Sequence, residues 1–304
     1  MAIEPAATVS AGGSCRLLPA ADHRWVAMNL ARRADIELLA AWMQRTWDGP
    51  VWDAVADALR DQPAEPAVER AQLLGIPAAV AVPPQAPSRG VTQLSGPARP
   101  TPGLVVDLST LWAGPLCARL VGAATGRSVV KVEDPGRPDG ARAGPPPFWQ
   151  RLNGAKEHRS VEFTAAAGRR DLEVLLGDAD VVITSARPRA LDGLGLHPAE
   201  HAGRGAVWVA ITGYGMTGPW RDRVAFGDDA AVAGGAAVAA GGADHPVFVL
   251  DAVADPLSGL WAAAATVDAL DTRRGAVIDV SLRDVVAGAL TAGRYAARTD
   301  QEVA

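Results

Sequence analysis

From Leu104 onward the chain alternates between short runs of β-branched residues and stretches with helical spacing. Leu104-Val-Val-Asp-Leu precedes a helical stretch from Pro115 to Ala124. Ser128-Val-Val-Lys-Val precedes one from Arg169 to Leu176, and Asp180-Val-Val-Ile-Thr one from Pro188 to Leu194. The series continues with Ala206-Val-Trp-Val-Ala-Ile-Thr, a small-residue helix from Ala230 to Ala240, a strand from Val247 to Leu250, a helix opened by Asp255, and Ala276-Val-Ile-Asp-Val. Strands separated by helices are joined by crossovers, which make neighbouring strands parallel and cover both faces of the sheet. The expected fold is therefore α/β: a Rossmann-like, open, mostly parallel sheet covered by helices.

Ahead of this region the pattern differs. Trp25-Val-Ala-Met-Asn-Leu and Ile76-Pro-Ala-Ala-Val-Ala-Val82 read as strands, and Ala34 to Trp47, Val51 to Arg60 and Ala67 to Leu74 carry helical periodicity. A small α+β unit over residues 14–82 follows. Residues 83–102 hold six prolines and two glycines, which is the composition of a linker. The larger domain then covers 103–296, and a length of 304 residues suits such a two-part division.

Hydrophobic residues make up 49% of the chain and the net charge is -5, with arginines scattered rather than striped, so no nucleic-acid surface is expected. Cys15 and Cys117 lie far apart, outside any Cys-x-x-Cys spacing, and the five histidines form no pair with metal-ligand spacing. No metal site is expected. The opening residues lack a basic stretch followed by an apolar core, and no apolar run has membrane-spanning length. A soluble, cytoplasmic protein follows, with no membrane contact.

No P-loop is present, and no Gly-x-Gly-x-x-Gly joins the first strand of the alternating region to its helix, which argues against dinucleotide hydride transfer and ATP-driven chemistry. Three segments remain as candidates. Asp255-Pro256 reads as an ordinary helix start, with an N-cap acceptor before a residue that needs no N–H. The same carboxylate, at a strand-to-helix junction, can also serve as a nucleophile with helix N–H groups nearby for a developing oxyanion. In Asp107-Leu-Ser-Thr-Leu111-Trp112-Ala113-Gly114-Pro115, small residues before a helix start allow a ligand to approach the backbone, though the segment equally makes a bare tight turn. The charges of Lys131, Glu133, Arg137, Asp139 and Arg142 suit phosphate recognition or a solvated loop. Asp228 and Asp229 read as an N-terminal cap of the small-residue helix.

Taken in order, several of these elements resemble the class III CoA-transferases, the CaiB/BaiF family that includes formyl-CoA transferase and alpha-methylacyl-CoA racemase. The resemblance runs from 104 to about 290. It rests on Val-Asp107-Leu-Ser with Ala113-Gly114-Pro115, Val-Lys131-Val-Glu133 with Asp139 and Arg142, and Asn153-Gly-Ala-Lys156. Ala-Asp180-Val-Val-Ile, Arg187-Pro188, Ile-Thr212-Gly213-Tyr214-Gly215 and Ala-Asp255-Pro-Leu-Ser-Gly259 complete it.

The resemblance implies that Asp255 is the nucleophile and that Leu111, Trp112 and Ala113, with Lys131 and Arg142, contact coenzyme A. It also implies that CoA and acyl-CoA are substrates rather than a permanently bound cofactor. The implied activity is that of an acyl-CoA:carboxylate CoA-transferase, acting on an acyl-CoA and a small carboxylic acid through an aspartyl anhydride and thioester. A homodimer or a partner chain goes with it.

Two alternatives are an acyl-CoA racemase or isomerase and a catalytically incomplete CoA-binding partner subunit. The racemase branch places a His about thirty residues before its Asp, where this chain has Phe226-Gly227-Asp228. Asp134 and Ser185-Ala186 depart from the family pattern. The small-domain-like segment precedes the large one, as in a permuted member.

Overall fold

The computed structural model describes residues 8–87, 91–97 and 103–302. In chain order, the first elements are β1 (Cys15–Pro19), β2 (Trp25–Asn29), α1 (Arg33–Glu37), α2 (Leu39–Met43), α3 (Val51–Arg60), α4 (Ala64–Leu74) and β3 (Ala78–Val80). Next come β4 (Val91–Pro97), β5 (Leu104–Asp107), α5 (Ala113–Thr125), β6 (Ser128–Glu133), a 3-10 turn (Gly140–Ala143), α6 (Pro146–Asn153) and β7 (Glu157–Ser160). They are followed by α7 (Ala166–Asp178), β8 (Val181–Thr184), α8 (Pro188–Leu194), α9 (Pro198–Gly203) and β9 (Val207–Thr212). The last elements are α10 (Gly227–Ala233), α11 (Ala236–Gly241), α12 (Ala254–Asp271), β10 (Arg274–Ser281) and α13 (Leu282–Glu302).

These elements form two compact units, each discontinuous in sequence. The larger unit takes Arg89–Asp222 and Asp255–Ser281. Its seven-stranded sheet has the order β4-β10-β9-β8-β5-β6-β7. Every pairing from β10 to β7 is parallel, and β4 runs antiparallel along β10. The chain leaves β5 in one direction through β6 and β7, then returns to the other flank of β5 with β8. That reversal is the topological switch point of a doubly wound sheet, with the carboxyl ends of β5 and β8 on either side of it. β8 and β9 are buried at every position, as expected for strands covered on both faces. Val106, Val182, Leu172, Leu176 and Trp208 belong to the same core cluster.

Two expectations are corrected here. The segment read as a linker contributes β4, whose backbone pairs with β10 over Val91↔Asp279 to Pro97↔Arg274. The prolines fall at or outside the ends of this edge strand, where a missing donor is tolerated. Residues 88–90 and 98–102 of the same segment lie outside the described residues. Secondly, Val247–Leu250 is not a strand. Val247 N–H donates to the Ala237 carbonyl, Phe248 turns into a small core with Cys15, Leu17 and Val232, and Leu250 is exposed with φ 58°. Burying Phe248 there satisfies the apolar run without a sheet neighbour, so Asp255 does not follow a sheet strand.

The smaller unit joins the segment up to Ser88 with Arg223–Ala254 and the segment from Leu282 on. Residues 223–254 and 282–296, read from sequence as large-domain, thus group with the N-terminal segment. The antiparallel sheet of this unit has the order β1-β2-β3, and β1 was not anticipated from sequence. Trp42 is buried in its main core and its indole N–H donates to the Ala67 carbonyl at 2.9 Å. The small-residue helix is broken into α10 and α11 at Gly235, with φ 94°, where a Cβ would lie 2.6 Å from Pro84. Only glycine fits that backbone there.

Asp229, in the first turn of α10, reaches back to the Phe226 N–H at 3.0 Å and also accepts from Asn29 Nδ2 at 3.0 Å. Its other oxygen, Oδ2, and Asn29 Oδ1 are both buried without a partner. Burial pushes Asp229 up to about 7, with Asp228 adding to the rise and the Phe226 and Asn29 hydrogen bonds opposing it.

A carboxyl with a raised folded-state pKa binds its proton more tightly when folded. Stability is therefore greatest below the ordinary carboxylate range and falls as pH climbs from there to about 7. Urea unfolding between pH 5 and 8 is expected to show this decline in the native chain. The decline should largely vanish in Asp229→Asn, which gains on the order of 3 kcal/mol over the native chain at pH 8.

Candidate functional site

At the carboxyl end of β5 the chain makes the turn Leu108–Trp112 before entering α5, and each N–H from 108 to 111 has a separate acceptor. Leu108 donates to the Ile183 carbonyl of β8 at 2.9 Å and Ser109 to Asp107 Oδ1 at 2.9 Å. Thr110 donates to Ser185 Oγ at 3.0 Å, and Leu111 to Asp139 Oδ1 at 2.9 Å. The turn is thus tied across the switch point to both sides of the sheet. Leu111 has φ 67°, a left-handed conformation that costs a non-glycine residue about 1–2 kcal/mol and persists only where surrounding bonds enforce it.

Gly114, in the first turn of α5, permits the close return of the helix onto this turn. A Cβ on it would lie 2.1 Å from Ser109 Oγ. The helix begins without a side-chain cap, and Pro115 needs no acceptor, which leaves the first N–H groups of α5 facing the turn.

Below the turn lies a buried set of charges. The β5–β6 register puts Asp107 beside Lys131. Lys156 Nζ donates to Asp107 Oδ2 at 2.8 Å, the Pro115 carbonyl at 2.9 Å and Asn153 Oδ1 at 2.8 Å. Lys131 Nζ donates to Asp139 Oδ2 at 3.0 Å and to the Ser109 carbonyl. Burial pushes the Asp107 carboxyl up, but Lys131, Lys156 and the hydrogen bonds from Lys156 and Ser109 together hold it below its ordinary value. Burial draws Lys156 down, against the attraction of Asp107. Cys117, beneath the same carboxylate, is pushed up to about 12 by burial and then by Asp107. A thiol in that state is inert.

The structure separates the residues expected from sequence into different roles. Leu111, Trp112 and Ala113 form the turn itself, and Trp112 packs edge-on against Phe148 with ring centroids 5.1 Å apart. Lys131, expected to face a ligand's phosphates, instead has its side chain 0% exposed and its ammonium engaged by Asp139 and Ser109. A lysine within an apolar parallel strand must be paired, and this one braces the turn from below. Arg142 stays accessible at 45% exposure, in a fork with Glu133 (2.9 and 2.6 Å) and over the Trp149 ring at 4.1 Å. The Arg142 hydrogen bond chiefly holds Glu133 below its ordinary range.

Asp255 occupies the first turn of α12 and is half-buried. Four residues on, Gly259 packs against α5: a Cβ there would lie 2.7 Å from the Ala113 carbonyl and 3.1 Å from Leu116 Cδ2. Residues four apart share a helix face, so the contact brings the Asp255 end of α12 to the same end of the unit as the Leu111–Ala113 turn. The small residues of α12 face inward, with Ser258, Ala262, Thr266 and Ala269 buried, while Leu260 and Trp261 are exposed.

Sequence reasoning gave no role to Asp107, Ser109 or Lys156, and took Asp139 only as one of a group of charges suited to phosphate recognition or a solvated loop. The available signals were a lysine inside Val-Val-Lys-Val and an aspartate closing Leu-Val-Val-Asp, since a charge in a buried strand needs a partner. Among the described residues no three His, Cys, Asp or Glu side chains are grouped as a metal site requires, and no helix is long and apolar enough to cross a membrane.

Residues 103–303 match the family model described as CoA-transferase family III. The chain is 29% identical over 196 residues to the succinyl-CoA--D-citramalate CoA-transferase of Chloroflexus aurantiacus, covering 60% of this chain and 48% of that protein. To the beta subunit of the succinyl-CoA--L-malate CoA-transferase of the same organism it is 33% identical over 199 residues, with 60% and 48% covered. A solved CaiB/BaiF family protein from Brucella suis is similar at a TM-score of 0.56 and 27% identity, over 66% of this chain and 58% of that one. Rv3272 from Mycobacterium tuberculosis is similar at a TM-score of 0.58 and 28% identity, over 67% and 59%. The chain spans about half the length of the curated relatives it matches.

The backbone contact at Gly259 leaves no room for a methyl group against the Ala113 carbonyl. Gly259→Ala is expected to lower the unfolding free energy by about 1–3 kcal/mol, measured by urea denaturation, because neither helix backbone can yield cheaply.

Proposed function

This chain belongs to CoA-transferase family III, and from that premise we propose that it transfers CoA from an acyl-CoA to a carboxylic acid with Asp255 as the nucleophile. The observation that carries this reading is the seating of Gly259 on the Ala113 carbonyl, which sets the first turn of α12 beside the turn that enters α5. The pantetheine end of a CoA molecule lying along Leu111–Ala113 would then reach the Asp255 carboxylate. Arg142, partly exposed above Trp149 and forked with Glu133, would be the group to meet a phosphate.

In the proposed cycle an Asp255 oxygen attacks the thioester carbonyl carbon. The C–S bond breaks, CoA leaves as thiolate, and an aspartyl mixed anhydride remains. The thiolate attacks the aspartyl carbonyl of the anhydride, which releases the first carboxylate and leaves Asp255 as a CoA thioester. The acceptor carboxylate attacks that thioester, forming a second anhydride and freeing the thiolate again. Attack of the thiolate on the acceptor's acyl carbon yields the new acyl-CoA and restores the Asp255 carboxylate.

Negative charge passes through the acyl oxygen at each step, and first-turn N–H groups of a helix are suited to receive it. One thioester is exchanged for another, so no nucleotide is consumed. CoA is a substrate throughout.

A second reading is supported by the coverage of about half of each relative and by the name of one relative as a beta subunit. In that reading the chain binds CoA and a partner chain, of its own kind or another, completes the site.

Intact-protein mass spectrometry after incubation with a panel of acyl-CoAs, with hydroxylamine or borohydride as trap, distinguishes the two. Transfer through Asp255 predicts a hydroxamate or a reduced side chain at Asp255, absent in Asp255→Asn, and the productive acyl-CoA identifies the donor. CoA binding without any trapped species in the isolated chain would reject the first reading in favour of the second.

A further inference from the structure

We propose that Asp139 is a positioning residue for CoA binding, whose carboxylate fixes the turn entering α5 in register with the Arg142 turn. This rests on reading Leu111–Ala113 as part of a CoA site.

The Asp139 side chain is 0% exposed and accepts from three directions. Oδ1 takes the Leu111 N–H at 2.9 Å and the Ala141 N–H at 3.0 Å, while Oδ2 takes Lys131 Nζ at 3.0 Å. Capping the 3-10 turn at Gly140–Ala143 needs only the Ala141 bond. The Leu111 bond is different in kind, because it reaches a loop 28 residues away in sequence and on a different strand.

Leu111 is also the residue whose φ of 67° must be enforced, and its side chain lies against Gly140, where a Cβ would sit 3.2 Å from Leu111 Cδ2. A single oxygen thus sets the left-handed turn that aims Trp112 and Ala113, and it caps the short helix that carries Arg142. The Asp139 N–H in turn donates to Glu133 Oε1 at 3.0 Å, the carboxylate that forks with Arg142. Lys131 neutralises the buried carboxylate, and the directional contact is the hydrogen bond to Leu111.

Two double variants separate these roles. Lys131→Met with Asp139→Asn removes both buried charges and keeps an acceptor for the Leu111 N–H. Lys131→Met with Asp139→Ala removes both charges and the acceptor. CoA affinity is measured by titration calorimetry, and amide exchange across 108–113 by mass spectrometry.

Both pairs lose the Lys131 bond to the Ser109 carbonyl, so the asparagine pair is the reference against which the alanine pair is read. The alanine pair should bind CoA about tenfold more weakly and exchange faster at Leu111, as loss of one buried hydrogen bond implies. Equal affinity and equal exchange in the two pairs would overturn the proposal. Should the alanine pair fail to fold, Asp139→Glu replaces it: the charge stays while the acceptor moves by one methylene, and native affinity there would likewise overturn the proposal. If the native chain binds no CoA, the CoA-site reading falls, and the exchange comparison alone still decides whether Asp139 holds the turn.

Discussion

Two ammonium groups and two carboxylates buried beneath one turn set the terms for the rest of the larger unit. An isolated charge in such surroundings costs several kcal/mol, so each of Asp107, Lys131, Asp139 and Lys156 is tolerable only because the others are in place. Their bonds reach β5, β6, α5, α6 and the 3-10 turn. The set is electrically neutral, which lets Asp107 remain ionised at the buried carboxyl end of β5. It also supplies acceptors and donors for a turn whose backbone would not hold its shape unaided. Apolar packing could have filled the same volume, but not with directional bonds to Ser109 and Leu111.

The sheet was legible because its strands are buried on both faces and so appear as uninterrupted β-branched runs, as in Val-Val-Ile-Thr and Val-Trp-Val-Ala-Ile-Thr. The elements that escaped have no such signature. β7 is Glu157-His-Arg-Ser160, exposed at every position and paired through its backbone with β6. β4 hides among prolines because an edge strand needs a hydrogen-bonding partner more than it needs an apolar face. In the opposite direction, Val247–Leu250 has strand composition and no strand, since a single buried phenylalanine accounts for its apolarity. Composition reports burial, and only pairing makes a strand.

The candidate site was legible in part for a related reason. Leu111, Trp112, Ala113 and Asp255 lie at helix starts, which small residues and prolines mark in a sequence. Lys131 was visible as a charge, but whether a charge faces solvent or the interior depends on partners 8 to 22 residues distant, Asp139 and Ser109. The face of α12 was least legible of all. Its larger residues, Leu260 and Trp261, point outward because close approach to α5 admits only small side chains on the inner side. A hydrophobicity pattern ranks residues by size and polarity and cannot register that constraint.

The interleaving of the two units along the chain has a consequence for how the protein is made. The smaller unit joins the segment up to Ser88 to Arg223–Ala254, more than a hundred residues further on, and the larger closes only with Asp255–Ser281. During synthesis at about 5–20 residues per second, the first segment therefore waits on the order of ten seconds or more before its missing core residues leave the ribosome. Cys15, Leu17 and Ala27 remain open to the surroundings until Val232, Ala237 and Phe248 arrive. β9 likewise lacks its outer neighbour until β10 is complete. The main clusters around Trp42 and Trp208 each lie within one continuous segment, so what is finished late is the Phe248 cluster and the β10 flank of the sheet.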